Sequence, residues 1–279
     1  MHSLLRTVHR HCPLCNKDNT NAKVHRYSDP EWRLISCPVC NFIYVENAPM
    51  YEQLSSAMAW EKTSKAEDIR RAASRGRGYN LSKKTRWRLH LFPRKKITAL
   101  ITRHISPGNI IDLGCGTGGH MLEMGNNYIP YGIEVSRTLY EMANTAFRQL
   151  GGRVVHAPCL VGLQEFPDNY FSGATLRSYL EHEARPAEVL KELHRTLQPG
   201  GVALVKVPNY ATLNRLVMGK NWCGFRFPDH LNYFTPNTLR AMAISTGYKV
   251  YYGLTYKLPT NDNMYAVLTK PASPSPGSR

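Results

Sequence analysis

The residues whose spacing first implies chemistry are four cysteines. Cys12-Pro13-Leu14-Cys15 and Cys37-Pro38-Val39-Cys40 form two C-x₂-C pairs separated by 21 residues. Each pair can make a tight knuckle that brings two thiolates to about 2.3 Å from one ion, with the intervening residues folding as a hairpin that closes a tetrahedral Cys₄ site. Zinc held by four sulfurs keeps no position for water, so its role is structural: it folds a segment too small to fold alone. Disulfides or idle thiols are the competing reading. The total of seven cysteines is odd and suits metal ligation in a reducing, cytoplasmic compartment better than a disulfide framework. Cys115, Cys159 and Cys223 have no partner at metal spacing and read as small buried apolar groups.

A second pattern is Asp112-Leu113-Gly114-Cys115-Gly116-Thr117-Gly118, followed 22 residues after Asp112 by Glu134. Glycines between a strand and a helix let backbone pass close to a ligand, and a helix start offers unpaired N–H groups. A carboxylate closing the next strand can accept both hydroxyls of a ribose. Taken singly, the glycines read as a tight turn and Glu134 as a charge favouring a helix N-terminus. Together they indicate an adenosine ligand.

The elements that must position these groups follow from hydrophobic patterning. From Asn109 onward, apolar runs alternate with amphipathic stretches: Ile110 to Leu113, a helix after Gly118, and Tyr131 to Val135. Ser136 then caps a helix to about Leu150, followed by strands at Arg153 to His156 and Ala174 to Arg177. A helix from Arg185 to Leu197 is stopped by Pro199-Gly200-Gly201 before the strand Val202 to Val207. This order predicts a parallel sheet covered by helices. After Pro208 the pattern lapses for about 25 residues, a length typical of a lid. A helix near Thr235 to Ser245 and strands at Lys249 to Thr255 and Met264 to Lys270 complete the chain. Residues 271–279 read as a disordered tail, and no internal repeat is found.

DLGCGTG followed by GIEVS resembles motifs I and II of class I S-adenosylmethionine-dependent methyltransferases. The G-x-G-x-G spacing departs from the G-x-G-x-x-G of dinucleotide folds. LEH, RPAEVLKELHRTL and QPGG resemble later segments of the family, so the likeness covers about residues 50 to 270. It implies that Asp112, Gly114, Cys115, Gly116 and Gly118 surround the methionine part of the donor, that Glu134 holds its ribose, and that Pro158 and Arg177 border the site. Ala157-Pro158-Cys159 lacks the acid the family often has near the adenine. Ser172 replaces a common Asp before the fourth strand, which puts that edge of the site in doubt. The N-terminal cysteines, with Val207-Pro208-Asn209, Trp222 and Pro228 to Thr235, are similar to zinc-ribbon methyltransferases of saccharide and secondary-metabolite pathways. Ribosomal RNA guanine methyltransferases with a zinc ribbon share the layout but match the late segment poorly.

Methyl transfer from a sulfonium is an in-line displacement, so the protein chiefly aligns the nucleophile and removes a proton. His182, beside Glu181 after the fourth strand, and His230 in the long loop are candidate bases, with Tyr233 and Asn209 as hydrogen-bonding neighbours of His230. Each histidine also reads as a packing or loop-anchoring residue. Trp222 and Phe225 suit either an apolar lid that excludes water or plain core. Arg177 can contact an anionic acceptor or make a surface salt bridge.

Charge narrows the partners. The chain of 279 residues has a net charge of +16, and residues 61–103 alone hold 14 Lys/Arg against 3 Asp/Glu. Lys83, Lys84, Arg86, Arg88, Arg94, Lys95 and Lys96 are interleaved with Tyr79, Trp87, His90 and Phe92. Three readings are open: phosphate neutralisation and base stacking on nucleic acid, a cleft cap that grips a small anion, and a solvated helix docked through Trp87 and Leu91. An apolar content of 42% excludes a disordered polyampholyte, and no run of about 20 apolar residues predicts a membrane span.

The expected fold is α/β: a seven-stranded, mostly parallel Rossmann-like methyltransferase sheet with a small N-terminal zinc ribbon. Residues 1–50 form the Cys₄ ribbon, 51–105 a basic helical connector or cap, and 106–270 the core, with a substrate lid at about 208–234. The expected activity is methylation of an O, N or C nucleophile on a small, anionic or sugar-containing metabolite, with S-adenosylmethionine as donor and structural Zn²⁺. An RNA base methyltransferase and a non-catalytic module that binds nucleic acid or protein are the alternatives. Oligomeric state is left open.

Overall fold

The structure is a computed structural model that describes residues 6–49, 97–253 and 258–272. The basic cluster from Lys83 to Lys96 and the tail 273–279 lie outside the described residues.

Four short strands come first: β1 (Thr7–His9), β2 (Leu34–Ser36), β3 (Ile43–Val45) and β4 (Asn47–Pro49). Helix α1 (Ile97–His104) leads into β5 (Gly108–Leu113), α2 (Gly119–Leu122), β6 (Tyr128–Glu134), α3 (Arg137–Arg148) and β7 (Arg153–His156). Then follow α4 (Cys159–Leu163), β8 (Phe171–Arg177), α5 (Pro186–Thr196) and β9 (Leu197–Pro208). The chain continues through α6 (Leu213–Met218), β10 (Asn232–Tyr233), α7 (Pro236–Ser245), β11 (Lys249–Tyr251) and β12 (Asn263–Thr269).

The central sheet has seven strands in the order β11-β12-β9-β8-β5-β6-β7. β12 pairs antiparallel with both β9 and β11, and the other pairs are parallel. Ile110 to Leu113 are all buried, as a strand covered on both faces requires. Sequence order reverses at β5, between β6 and β8, where open α/β sheets hold their ligands at the carboxyl ends.

Local signals account for the helices. The Ser136 hydroxyl accepts from Leu139 N at 3.4 Å, and the α3 residues Ala143 and Phe147 face the core four positions apart. α5 begins at Pro186 and buries Val189, Leu190 and Leu193. α7 has a reciprocal cap: Thr238 N donates to Thr235 Oγ1 at 3.2 Å and Thr235 N donates to Thr238 Oγ1 at 2.9 Å.

Three features depart from expectation. Pro199-Gly200-Gly201 lies inside β9 as a bulge, since Phe171 pairs with Leu197 and Gly173 next pairs with Val202. Gly200, at φ 80°, lets the backbone bend there and donates its N–H to Lys270 O at 3.0 Å. Second, Ser172 lies at the end of the sheet opposite the glycine turn, where its hydroxyl donates to Ser106 O at 2.9 Å and Asn109 O at 3.1 Å. Third, the segment expected as a lid also pairs with the ribbon, an addition the sequence did not announce. β10 pairs with β3 through Asn232–Tyr44 and Tyr233–Ile43, giving a three-stranded sheet β10-β3-β2. All three residues of β3 are buried, so its open edge needs such a cover. Trp222, Phe225 and Tyr233 bury with Trp32, Leu34, Ile43 and Val45, making Trp222 and Phe225 core between ribbon and loop.

Candidate active site

The turn after β5 is built by glycines that adopt left-handed backbone. Gly114, Gly116 and Gly118 have φ of 69°, 55° and 75°. A Cβ on Gly118 would lie 2.4 Å from Phe147 Cε1, whereas one on Gly116 meets nothing within 4 Å. Gly118 is therefore needed for packing, and Gly116 leaves open space beside the backbone. The Gly116 N–H donates to Glu134 Oε2 at 2.8 Å, and Ser136 N donates to Oε1 at 2.9 Å. Glu134 is thus fixed at the end of β6 with a lone pair remaining on each oxygen, the acceptor pattern a vicinal diol needs.

Asp112 sits below this turn. Its Oδ1 accepts from the Thr175 hydroxyl, and His120 Nε2 lies 3.4 Å from Oδ2. Burial pushes the Asp112 carboxyl up to about 7, opposed by the Thr175 hydrogen bond and Arg177, with the Glu134 charge adding to it. Burial lowers His120 to about 4, helped by Arg177. Thr175 and His120 escaped the sequence reading, although a lone Thr between Ala174 and Leu176 in an apolar strand was a signal.

A cavity of about 580 Å³ joins this turn to the loop after β8. Asp112, Gly114, Cys115, Gly116 and Glu134 line one part, and Arg177, Tyr179, His182, Glu183 and Asp229 another. Ala157 and Cys159 also line it, while Pro158 caps α4 beside them. Cys115 is buried, with its sulfur where a Cβ on Gly132 would approach to 2.7 Å. The Tyr179 hydroxyl donates to Glu183 Oε2, and Arg185 N donates to Oε1 at 2.9 Å.

Of the candidate bases His182 and His230 and the neighbouring Tyr233, His182 alone is among the cavity-lining residues. Its Nδ1 lies 2.8 Å from the Asp229 carbonyl. A carbonyl only accepts, so Nδ1 carries the proton and Nε2 is the basic nitrogen. Burial lowers His182 to about 4, against the Asp229 hydrogen bond and with the Arg226 charge adding. The Asp229 carbonyl orients this ring, where a neighbouring carboxylate was expected. Glu181 is buried, its Oε2 has no hydrogen-bond partner among the described residues, and burial pushes its carboxyl up to about 8. His230 stands edge-on to His182, with ring centroids 4.8 Å apart, and its Nδ1 lies 2.8 Å from Gly224 O behind the cavity wall. Tyr233 belongs to the ribbon–loop core, away from the cavity, and burial holds its phenol well above the ordinary value.

The N-terminal cysteines converge as their spacing predicts. Cys12 and Cys40 sulfurs are 3.4 Å apart, Cys15 and Cys37 sulfurs 3.6 Å, and all four fall within 4.8 Å of one another. Four bonds of 2.3 Å in a tetrahedron put sulfurs about 3.8 Å apart, so the donor set fits zinc. The two knuckles repeat one geometry. Asn16 N donates to Cys12 O at 2.8 Å and Asn41 N to Cys37 O at 2.9 Å, with φ of 58° and 57° at the two asparagines. Sequence reasoning missed this, although Asn follows both pairs and tolerates left-handed backbone.

The fold is a doubly wound α/β sheet with a glycine–carboxylate turn at the carboxyl ends of its central strands, and comparison with known proteins places it in a family. The family described as a methyltransferase domain matches residues 85–252, more than half the chain. The chain belongs to this methyltransferase family. A demethylmenaquinone methyltransferase of Symbiobacterium thermophilum is 31% identical over 112 residues, covering 35% of this chain and 42% of that protein. The match thus spans less than half of that relative's length. A SAM-dependent methyltransferase from Archaeoglobus fulgidus aligns over 70% of this chain and 100% of its own, with 17% identity and a TM-score of 0.50. The [4+2]-cyclase SpnF aligns over 63% and 80%, with 19% identity and a TM-score of 0.50. At such identities the likeness is one of fold. Among the described residues no helix is long and apolar enough to cross a membrane.

Proposed function

We propose that the chain methylates an O, N or C nucleophile of a small, anionic or sugar-containing metabolite, with S-adenosylmethionine as donor. When bound, the donor supplies an activated sulfonium methyl group. Glu134, oriented by the Gly116 amide, holds its ribose, and Asp112 and the glycine turn face its methionine part. Arg177, at the end of β8, offers a positive charge to an anionic acceptor or to the donor carboxylate. His182 Nε2, neutral near pH 7, takes the acceptor proton as the nucleophile attacks. His230 supports the His182 ring from behind, and Tyr233 takes no part. The observation that carries this reading is one cavity lined by both Glu134 and His182.

In this reading residues 1–50 are a structural zinc ribbon, 51–105 a basic connector or cap and 106–270 the core. The thiol-rich chain works in the reducing cytoplasm. The charge of residues 61–103 favours one second reading, an RNA base as acceptor. Incubation with donor labelled in its methyl group and fractionated cell extract tests the assignment. Label in an anionic small-molecule fraction supports it, label in RNA replaces the acceptor, and donor binding without transfer to any fraction leaves a non-catalytic module.

A further inference from the structure

The turn that carries His182 is not held by the central sheet alone. Arg10, buried between ribbon and core and two residues before the first cysteine, reaches it directly. Its Nη2 donates to Ala184 O at 2.8 Å and to Asn232 Oδ1 at 2.9 Å. Its Nη1 donates to Val45 O at 2.9 Å and contacts Leu231 O at 3.4 Å. Asn232 extends the network, with Nδ2 donating to Leu180 O at 2.8 Å and Glu183 O at 2.7 Å. The backbone amides of Leu231 and Asn232 both donate to Glu181 O, at 2.7 and 3.0 Å. The carbonyls of Leu180, Glu181, Glu183 and Ala184, on either side of His182, are therefore all held by Arg10 or by the strand that Arg10 anchors.

We propose that Arg10 is a positioning residue through which the cysteine ribbon fixes the turn bearing His182, so that an intact ribbon sets the acceptor side of the cavity. This rests on His182 acting at the acceptor, as proposed above. A planar guanidinium with five donors spans Val45, Ala184 and Asn232 together, which a lysine ammonium cannot. The turn is irregular backbone in a buried place, and its carbonyls find partners only if ribbon and loop stay joined. The donor turn draws its contacts from β5, β6 and α3, so disturbance of Arg10 separates the two halves of the site.

The test uses the full metal-loaded chain and two variants, Arg10→Lys and Asn232→Ala, each assayed for metal content, S-adenosylmethionine affinity and backbone hydrogen exchange. Exchange at His182, Leu231 and Asn232 is expected to rise at least about tenfold in both variants, with donor affinity within about twofold of the parent. The NMR titration midpoint of the His182 ring is expected to climb from about 4 toward the ordinary value near 6.5 as its enclosure loosens. If Arg10→Lys loses its metal, Asn232→Ala decides alone. Unchanged exchange and an unchanged His182 midpoint overturn the proposal, as does an equal loss of donor affinity. Failure of the parent to bind donor sinks the functional reading instead and leaves the exchange result standing.

Discussion

The amide of Gly116 donates to Oε2 of Glu134 at 2.8 Å, joining the turn after β5 to the end of β6. Two segments that are separate motifs in sequence are thereby tied together, with the carboxylate oriented by two backbone amides. Pre-oriented acceptors bind more tightly because less freedom is lost on association.

The glycines of the turn have different jobs and predict different losses. In Gly118→Ala the new methyl group meets Phe147, adding overpacking of about 1–3 kcal/mol to left-handed strain. Gly116→Ala meets open space, so its folding cost is the strain alone, about 1–2 kcal/mol, and its larger effect is on donor affinity. Urea unfolding and donor titration of both variants check this; equal stability losses contradict it.

Asp112 makes stability depend on pH. The folded protein holds its proton up to about pH 7, whereas the unfolded carboxyl releases it near its ordinary value of 3.8. Stability from this group is full below the unfolded value and is lost as pH rises through the folded one, by up to about 4 kcal/mol. Glu181, raised to about 8, acts in the same direction. Asp112→Asn is expected to flatten, though not abolish, the decline between pH 4 and 8 in denaturant titrations. An unchanged slope contradicts a buried Asp112 carboxyl raised toward neutrality.

His182→Ala is expected to leave donor affinity nearly unaltered and to slow methyl transfer by roughly 10²–10⁴-fold, the usual weight of a general base. Because the imidazole stays neutral above about pH 4, the rate limited by this group is flat from pH 6 to 8. A rate rising with a midpoint near 6.5 contradicts a buried, neutral His182 as the base.

Much of this site is legible in the sequence because it depends on short-range pattern. The strand ends that place Asp112 and Glu134, the Ser136 cap and the cysteine knuckles are set within a few residues of each group. What escaped depends on pairing over long separations. Nothing near Asn232 announces that β10 adds to β3, nor does Arg10 in isolation announce its bond to Ala184. The same cause left Trp222 and Phe225 readable as lid or core and set Tyr233 beside the candidate bases: aromatic residues in a long loop look the same whether they face a ligand or a second sheet.

The ribbon is expected to hold one zinc per chain. Cys37→Ser, or prolonged chelation, releases it, and the segment loses its fold because metal binding supplies much of its folding free energy. Metal analysis and far-UV circular dichroism check this; a thiol titration that finds disulfides in the native chain contradicts it.

In the proposed function the turn at Gly116 and the Glu134 carboxylate together bind the donor nucleoside. Calorimetric titration of the zinc-loaded chain with S-adenosylmethionine tests it most directly, with Glu134→Ala alongside. One site per chain is predicted, with affinity lowered roughly tenfold or more in the variant through loss of charge-assisted hydrogen bonds of about 1.5–3 kcal/mol. No binding by the parent, or equal binding by parent and variant, contradicts the account.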